Sequence, residues 1–233
     1  MTDETATDTA PATPADSTDT AGAPSAAAKA ARRPARTPPA LMAQLAQWHP
    51  RLFGERPLPL KRGIFQDLMA AHAPDKDELK QALAWHTRST RYLVAMASGQ
   101  PRHDLQGKVV EPVAPEHLYQ ALVEVFRRRQ RRSQEDLGPQ LRQRIVRAYE
   151  ASGLTREAYA ERVRGPRAGA DADLDAALAQ AGEHDARAEA LLRAFEAAGS
   201  ELPRFAADYG LALPLVQRQL ARARQLRTLG QPA

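Results

Sequence analysis

Large apolar side chains are missing from the first forty residues after Met1, and from Leu41 onward they recur at helical spacing. Leu41, Leu45 and Trp48 predict a short helix that His49-Pro50 stops, because a residue before proline avoids helical backbone. A second helix is expected from about Gly63 to Ala73, burying Ile64, Phe65, Leu68 and Met69. A third should start at Asp75, a good N-cap with Glu78 three residues on, and run through Leu79 and Leu83 to Ala97. Thr87-Arg88-Ser89 is its candidate break, and Gly99 stands just past its end. The period then changes. Arg102 to Leu105, Gln106-Gly107 and Lys108 to Val110 read as a small hairpin. Pro115 opens a last helix whose apolar stripe is Leu118, Leu122, Val125 and Phe126, and which runs into the basic stretch Arg127 to Arg132.

Beyond it the pattern repeats itself. Arg147-Ala148-Tyr149-Glu150-Ala151-Ser152-Gly153 aligns, 46 residues on, with Arg193-Ala194-Phe195-Glu196-Ala197-Ala198-Gly199. Tyr159 then falls on Phe205, and Ala160 on Ala206. Each copy predicts a helix ending at glycine and a second short helix, arranged like a helix-turn-helix module or an ordinary helical bundle. Gly165 to Gly169 interrupts the first copy as a longer loop. The fold expected is therefore mostly α, in three parts. Residues 1–40 are a disordered Ala/Thr/Pro-rich tail, 41–135 a small helical domain with a short β-hairpin, and 138–233 a helical region of two repeats.

Composition supports the helical reading: 43% of residues are apolar, but only 5% are aromatic. With no cysteine, disulfides, thiolate metal sites and cysteine nucleophiles are excluded, and a reducing cytoplasm fits. The acidic start carries no secretory signal, and no run of about 18 apolar residues predicts a membrane span. Six scattered histidines show no metal spacing, and neither a phosphate-cradling glycine loop nor a G-x-S-x-G elbow occurs. The expectation is a protein that is not an enzyme and needs no metal or cofactor.

Charge says more once it is located. Of the net +5, residues 41–135 carry 15 basic and 10 acidic side chains, while 136–233 carry 14 and 13. The cluster Lys29 to Arg36 reads as a linker or a weak phosphate-contacting arm. At about 100° per residue, an unbroken third helix would align Lys76, Lys80, Thr87 and Arg91 in a stripe about 60° wide. Arg88 lies nearby, and Tyr92 offers an aromatic plane beside the guanidinium groups. Such a face suits phosphates and an unstacked base, or it is a solvated basic face over a core tyrosine.

The order of local blocks then becomes specific: Pro59-Leu60-Lys61-Arg62-Gly63-Ile64-Phe65-Gln66-Asp67-Leu68, Leu79 to Leu83, Thr87 to Leu93 and Arg102-His103-Asp104-Leu105-Gln106-Gly107. With the proline-led helix that follows, Phe53 to about Phe126 resembles the ProQ/FinO domain of bacterial RNA chaperones. The resemblance implies a concave basic face that binds structured RNA, typically a terminator-like stem with its single-stranded 3′ tail, including small RNAs and mRNA 3′ ends. It carries RNA contacts onto Lys61, Lys76, Lys80, Arg91, Tyr92 and Arg102; Arg88 is added from the local charge. Asp75 stands where the family often has serine, and His86 and Thr90 replace its usual aromatic residues. The expected function is a cytoplasmic chaperone or matchmaker for small regulatory RNAs. The alternatives are a DNA-binding regulator acting through the C-terminal repeats and a helical adaptor.

Overall fold

The computed structural model describes residues 38–164 and 171–229. The Lys29–Arg36 arm, the Gly165–Gly169 loop and all but the last three residues of the 1–40 tail lie outside the described residues. Five helices precede the hairpin: α1 (Leu41–Trp48), α2 (Pro50–Phe53), α3 (Ile64–His72), α4 (Lys76–Arg88) and α5 (Thr90–Ala97). The predicted third helix is thus two. Ser89 sits between them in extended backbone (φ −66°, ψ 147°) and its Oγ accepts the Tyr92 N–H at 3.2 Å, capping α5. A serine that can satisfy an orphan N–H makes the break favourable. The single stripe from Lys76 to Arg91 is corrected accordingly: Arg91 belongs to a different helix.

The hairpin pairs β1 (Arg102–His103) with β2 (Val109–Glu111), antiparallel, with Arg102 opposite Glu111, His103 opposite Val109 and a bulge between the two pairs. Gly107 takes the left-handed backbone of the turn (φ 74°), while Asp104 Oδ1 accepts the N–H groups of Gln106 and Lys108. A third segment joins this small sheet. The N–H of His103 donates to Pro59 O at 2.7 Å, and that of Lys61 to His103 O at 2.8 Å. The loop carrying Lys61 is thereby fixed to β1.

Six more helices follow: α6 (Pro115–Gln130), α7 (Gly138–Ser152), α8 (Arg156–Val163), α9 (Ala172–Ala198), α10 (Leu202–Asp208) and α11 (Leu213–Leu229). One apolar core runs from Leu41 through Leu79, Tyr92, Leu122 and Tyr149 to Ala181, so α6, α7 and the first half of α9 share it. A smaller one, built on Leu192, Phe205, Val216 and Leu220, joins the second half of α9 to α10 and α11.

The repeat is visible in the packing. Tyr149 and Tyr159 meet edge to face at 5.6 Å, and their counterparts Phe195 and Phe205 do the same at 5.2 Å. Gly153 and Gly199 end the first helix of each copy in left-handed backbone. The correspondence extends into the third helix, where buried Leu174 and Ala177 match buried Leu220 and Ala223. The 27 residues of α9, about 40 Å at 1.5 Å per residue, serve both copies.

Candidate nucleic-acid interface

The seven basic and aromatic residues singled out by sequence fall into three groups. The first surrounds Leu60. Tyr92 Oη accepts the Leu60 N–H at 3.1 Å, and Arg102 Nη1 donates to Leu60 O at 2.8 Å. Both side chains are buried, at 6% and 8% exposure. Burial pushes the Tyr92 hydroxyl above its ordinary pKa, while the Leu60 N–H and the Arg102 guanidinium pull the other way. The Tyr92 ring packs against His86, which in turn packs against Phe53. A ring so placed has no open face for a base, and Tyr92 is a core tyrosine here. Together Tyr92 and Arg102 clamp the loop that presents Lys61, whose Nζ lies 2.7 Å from Asp67.

The second group is the start of α4. Asp75 caps the helix, its Oδ1 accepting the N–H groups of Asp77 and Glu78 at 3.0 and 2.9 Å. Lys80 reaches back to Asp77 at 2.9 Å and holds that exposed carboxyl below its usual range. Lys76 has no carboxylate within 4.0 Å among the described residues. Three acids therefore occupy a helix end whose dipole would otherwise attract a phosphate.

The third group is the α4–α5 junction. Arg88 and Arg91 are exposed, and neither has a carboxylate within 4.0 Å among the described residues. The first turn of α5 contains no acid. Arg128, which the sequence reading did not single out, closes the junction from α6: its Nη1 donates to Arg88 O at 3.0 Å and to Thr90 Oγ1 at 2.9 Å. Thr90 supplies that acceptor. Glu124 binds both Arg127 and Arg128, and they hold its carboxyl below the usual range against the opposing effect of burial. The i, i+4 spacing of Glu124 and Arg128 was legible; the reach to α5 was not.

Charge is distributed differently near the C-terminus. Asp185, buried on α9, accepts the Tyr149 hydroxyl at 2.9 Å and both Nε and Nη2 of Arg222, at 2.8 and 3.2 Å. Burial first, then Asp185, pushes the Tyr149 pKa up to about 12. Arg227 makes two bonds to Glu196, at 2.6 and 3.0 Å. Of the arginines on α11, only Arg218 and Arg224 have no carboxylate within 4.0 Å among the described residues. A phosphate contact by all four is therefore not what the helix offers.

Among the described residues no three His, Asp or Glu side chains are grouped to hold a metal, and no helix is long and apolar enough to cross a membrane. His86 and His103 are buried, and one ring nitrogen of each has no hydrogen-bond partner. For His86, burial drives the pKa down to about 4 despite the Leu52 backbone bond. It is neutral at pH 7, a packing residue of this core.

Known proteins resemble the same part of the chain. The family model described as the ProQ/FINO family matches residues 35–137. The RNA chaperone ProQ of Aeromonas salmonicida (strain A449) is 39% identical over 105 residues, 40% of this chain and 50% of that protein. The RNA chaperone ProQ of Pasteurella multocida (strain Pm70) is 44% identical over 73 residues, 28% of this chain and 35% of that one. The chain thus spans about half the length or less of these two curated relatives. A solved FinO-like RNA chaperone from Neisseria meningitidis MC58 has 34% identity, covering 35% of this chain and 85% of its own, with a TM-score of 0.32. Residues 35–137, the segment that holds all three groups of side chains, are thus what matches the ProQ/FINO family.

Proposed function

We propose that this protein is a cytoplasmic RNA chaperone that binds structured RNA, namely terminator-like hairpins, small regulatory RNAs and mRNA 3′ ends, and assists their pairing. The observation that carries the reading is the α4–α5 junction, where Arg88 and Arg91 stand exposed and unneutralised inside the family-matched segment. Lys76 and Lys80 on α4 and Lys61 on the clamped loop extend the same basic character.

In this reading the exposed cations take phosphates, and the protein reads backbone shape rather than base edges. Tyr92 and Arg102 act from behind, holding the Lys61 loop through the two backbone groups of Leu60. The preference for a stem with a 3′ tail rests on the family resemblance. Asp75, which stands where the family often has serine, joins Asp77 and Glu78 in weakening any anion contact at the start of α4. Residues 41–135 are read as the RNA-binding part and 138–233 as an accessory helical region. A DNA-regulator role finds less support, because two of the four arginines on α11 are already paired with carboxylates of this protein.

Crosslinking in cells followed by sequencing tests the proposal. Enrichment of hairpins next to RNA 3′ ends is expected. Recovery of defined DNA sites, or of no nucleic acid, contradicts it.

A further inference from the structure

A groove of about 450 Å³ straddles the end of the positions matched by the family, between the end of α5, the stretch that opens α6, and one face of α7. Its walls are mostly apolar, including Ala97, Val113, Leu118 and Ala148, and its volume lies in the small-ligand range of ~300–1,000 Å³. Arg144 and Arg147, three residues apart on α7, also line it. Arg144 Nη2 donates to Ala97 O at 3.0 Å, which holds that guanidinium at the groove wall. Arg147 is exposed and makes no side-chain hydrogen bond or ion pair among the described residues.

No Asp or Glu lines the groove, and neither arginine has a carboxylate within 4.0 Å among the described residues. Arg142 on the same helix is different, being paired with Asp173 at 2.9 Å. Two unneutralised guanidinium groups over apolar walls complement an anion that carries a flat, weakly polar body. A nucleotide has both parts: a phosphate for the planar donor fork and a base for the apolar wall.

We propose that this groove binds single-stranded RNA flanking a stem, with a base against Leu118 and Ala148 and phosphates on Arg144 and Arg147. The inference rests on the RNA-binding function above, and it extends the contact surface past residue 137 onto α7.

The test uses the full chain and a hairpin with single-stranded flanks containing 4-thiouridine, beside the same hairpin without flanks. Each single-strand phosphate contributes about 0.7 to the slope of log affinity against log salt, so removing two should flatten it by about 1.4. The Arg144→Gln/Arg147→Gln variant should bind the flanked hairpin about tenfold more weakly, bind the blunt one as before, and lose crosslinks to residues 144–151. Arg147→Gln alone removes no hydrogen bond or ion pair among the described residues; it should show about half the slope change at an unaltered melting temperature, even if the double variant folds poorly. Wild-type binding to the flanked hairpin with the slope unchanged in Arg147→Gln overturns the groove assignment alone. Protection of the groove by a small organic anion, with RNA crosslinks elsewhere, does the same. A wild-type chain that binds neither hairpin overturns the function itself.

Discussion

The α4–α5 junction and α11 carry similar numbers of arginines, but α11 binds two of its four to carboxylates of the same chain. At the junction Arg88 and Arg91 face solvent without acidic partners among the described residues, and Arg128 reinforces the turn through a backbone carbonyl and a hydroxyl. On α11, Arg222 is sunk against Asp185 and Arg227 is forked onto Glu196. Local net charge cannot tell these cases apart. A guanidinium already bonded to carboxylate has little left for phosphate, whereas an unpaired one releases counterions when RNA arrives. The difference predicts that changes on α11 affect folding and changes at the junction affect binding.

The largest expected effect breaks the comparison from the structural side. Arg222→Met leaves Asp185 buried without its cation, which should destabilise the fold by about 3–5 kcal/mol. Chemical denaturation measures this, and RNA affinity under native conditions should hardly move. A variant that keeps its stability but loses RNA binding would make α11 part of the interface.

Tyr92→Ala sharpens the other side. Removing a fully packed ring and the acceptor for the Leu60 N–H should cost about 3–5 kcal/mol of stability. Affinity should then fall equally for hairpins with and without a 3′ tail. A loss confined to the tailed hairpin, with an unchanged melting temperature, would return Tyr92 to the binding surface.

His86 gives this core a pH signature. Its folded pKa of about 4 lies below the unfolded value of 6.5, so the unfolded chain binds the proton more readily. The stability this neutral side chain allows is present above about pH 6.5 and is lost as pH falls toward 4. At 1.36 kcal/mol per unit the loss is about 3 kcal/mol. Denaturation midpoints across that window should fall steeply in the wild type and less so in His86→Leu. Parallel curves would mean that His86 is not the group responsible.

How much of this was legible in the sequence differs from element to element. Period and proline placed α1, α3 and α6 nearly to the residue, and the turn chemistry of Asp104 and Gly107 gave the hairpin. The break at Ser89 was legible only as a candidate, because a helix through it and a capped restart are both local options. Burial of Tyr92 and Arg102 was not legible at all. It depends on Leu60, 32 and 42 residues away, and nothing in either local pattern names that partner. The pairing of Arg222 with Asp185, 37 residues apart, was hidden for the same reason. The sequence repeat, by contrast, forecast a physical equivalence, since the aligned rings occupy equivalent contacts. Which cations face RNA is thus a tertiary property, read from pairing rather than from spacing.

The smallest expected effect lies at the start of α4. Asp75→Ser keeps an N-cap acceptor and removes one negative charge, an interaction of about 0.3–1 kcal/mol at a helix end. Affinity for RNA should rise a few-fold at low salt with stability nearly unchanged. Unaltered affinity would place the start of α4 away from the RNA.

The central claim is that the unpaired cations of α4 and α5 do the phosphate binding. A salt series on the full chain with a tailed hairpin measures it most directly. The wild type should lose log affinity with log salt at a slope of about −3 to −5, as expected for four to six neutralised phosphates. Lys76→Ala/Arg88→Ala/Arg91→Ala should flatten that slope by about 2–3 without lowering the melting temperature, while Arg218→Gln/Arg224→Gln should leave it nearly as it was. A salt-independent wild type, or a slope that changes with the α11 pair and not with the triple variant, would contradict the account.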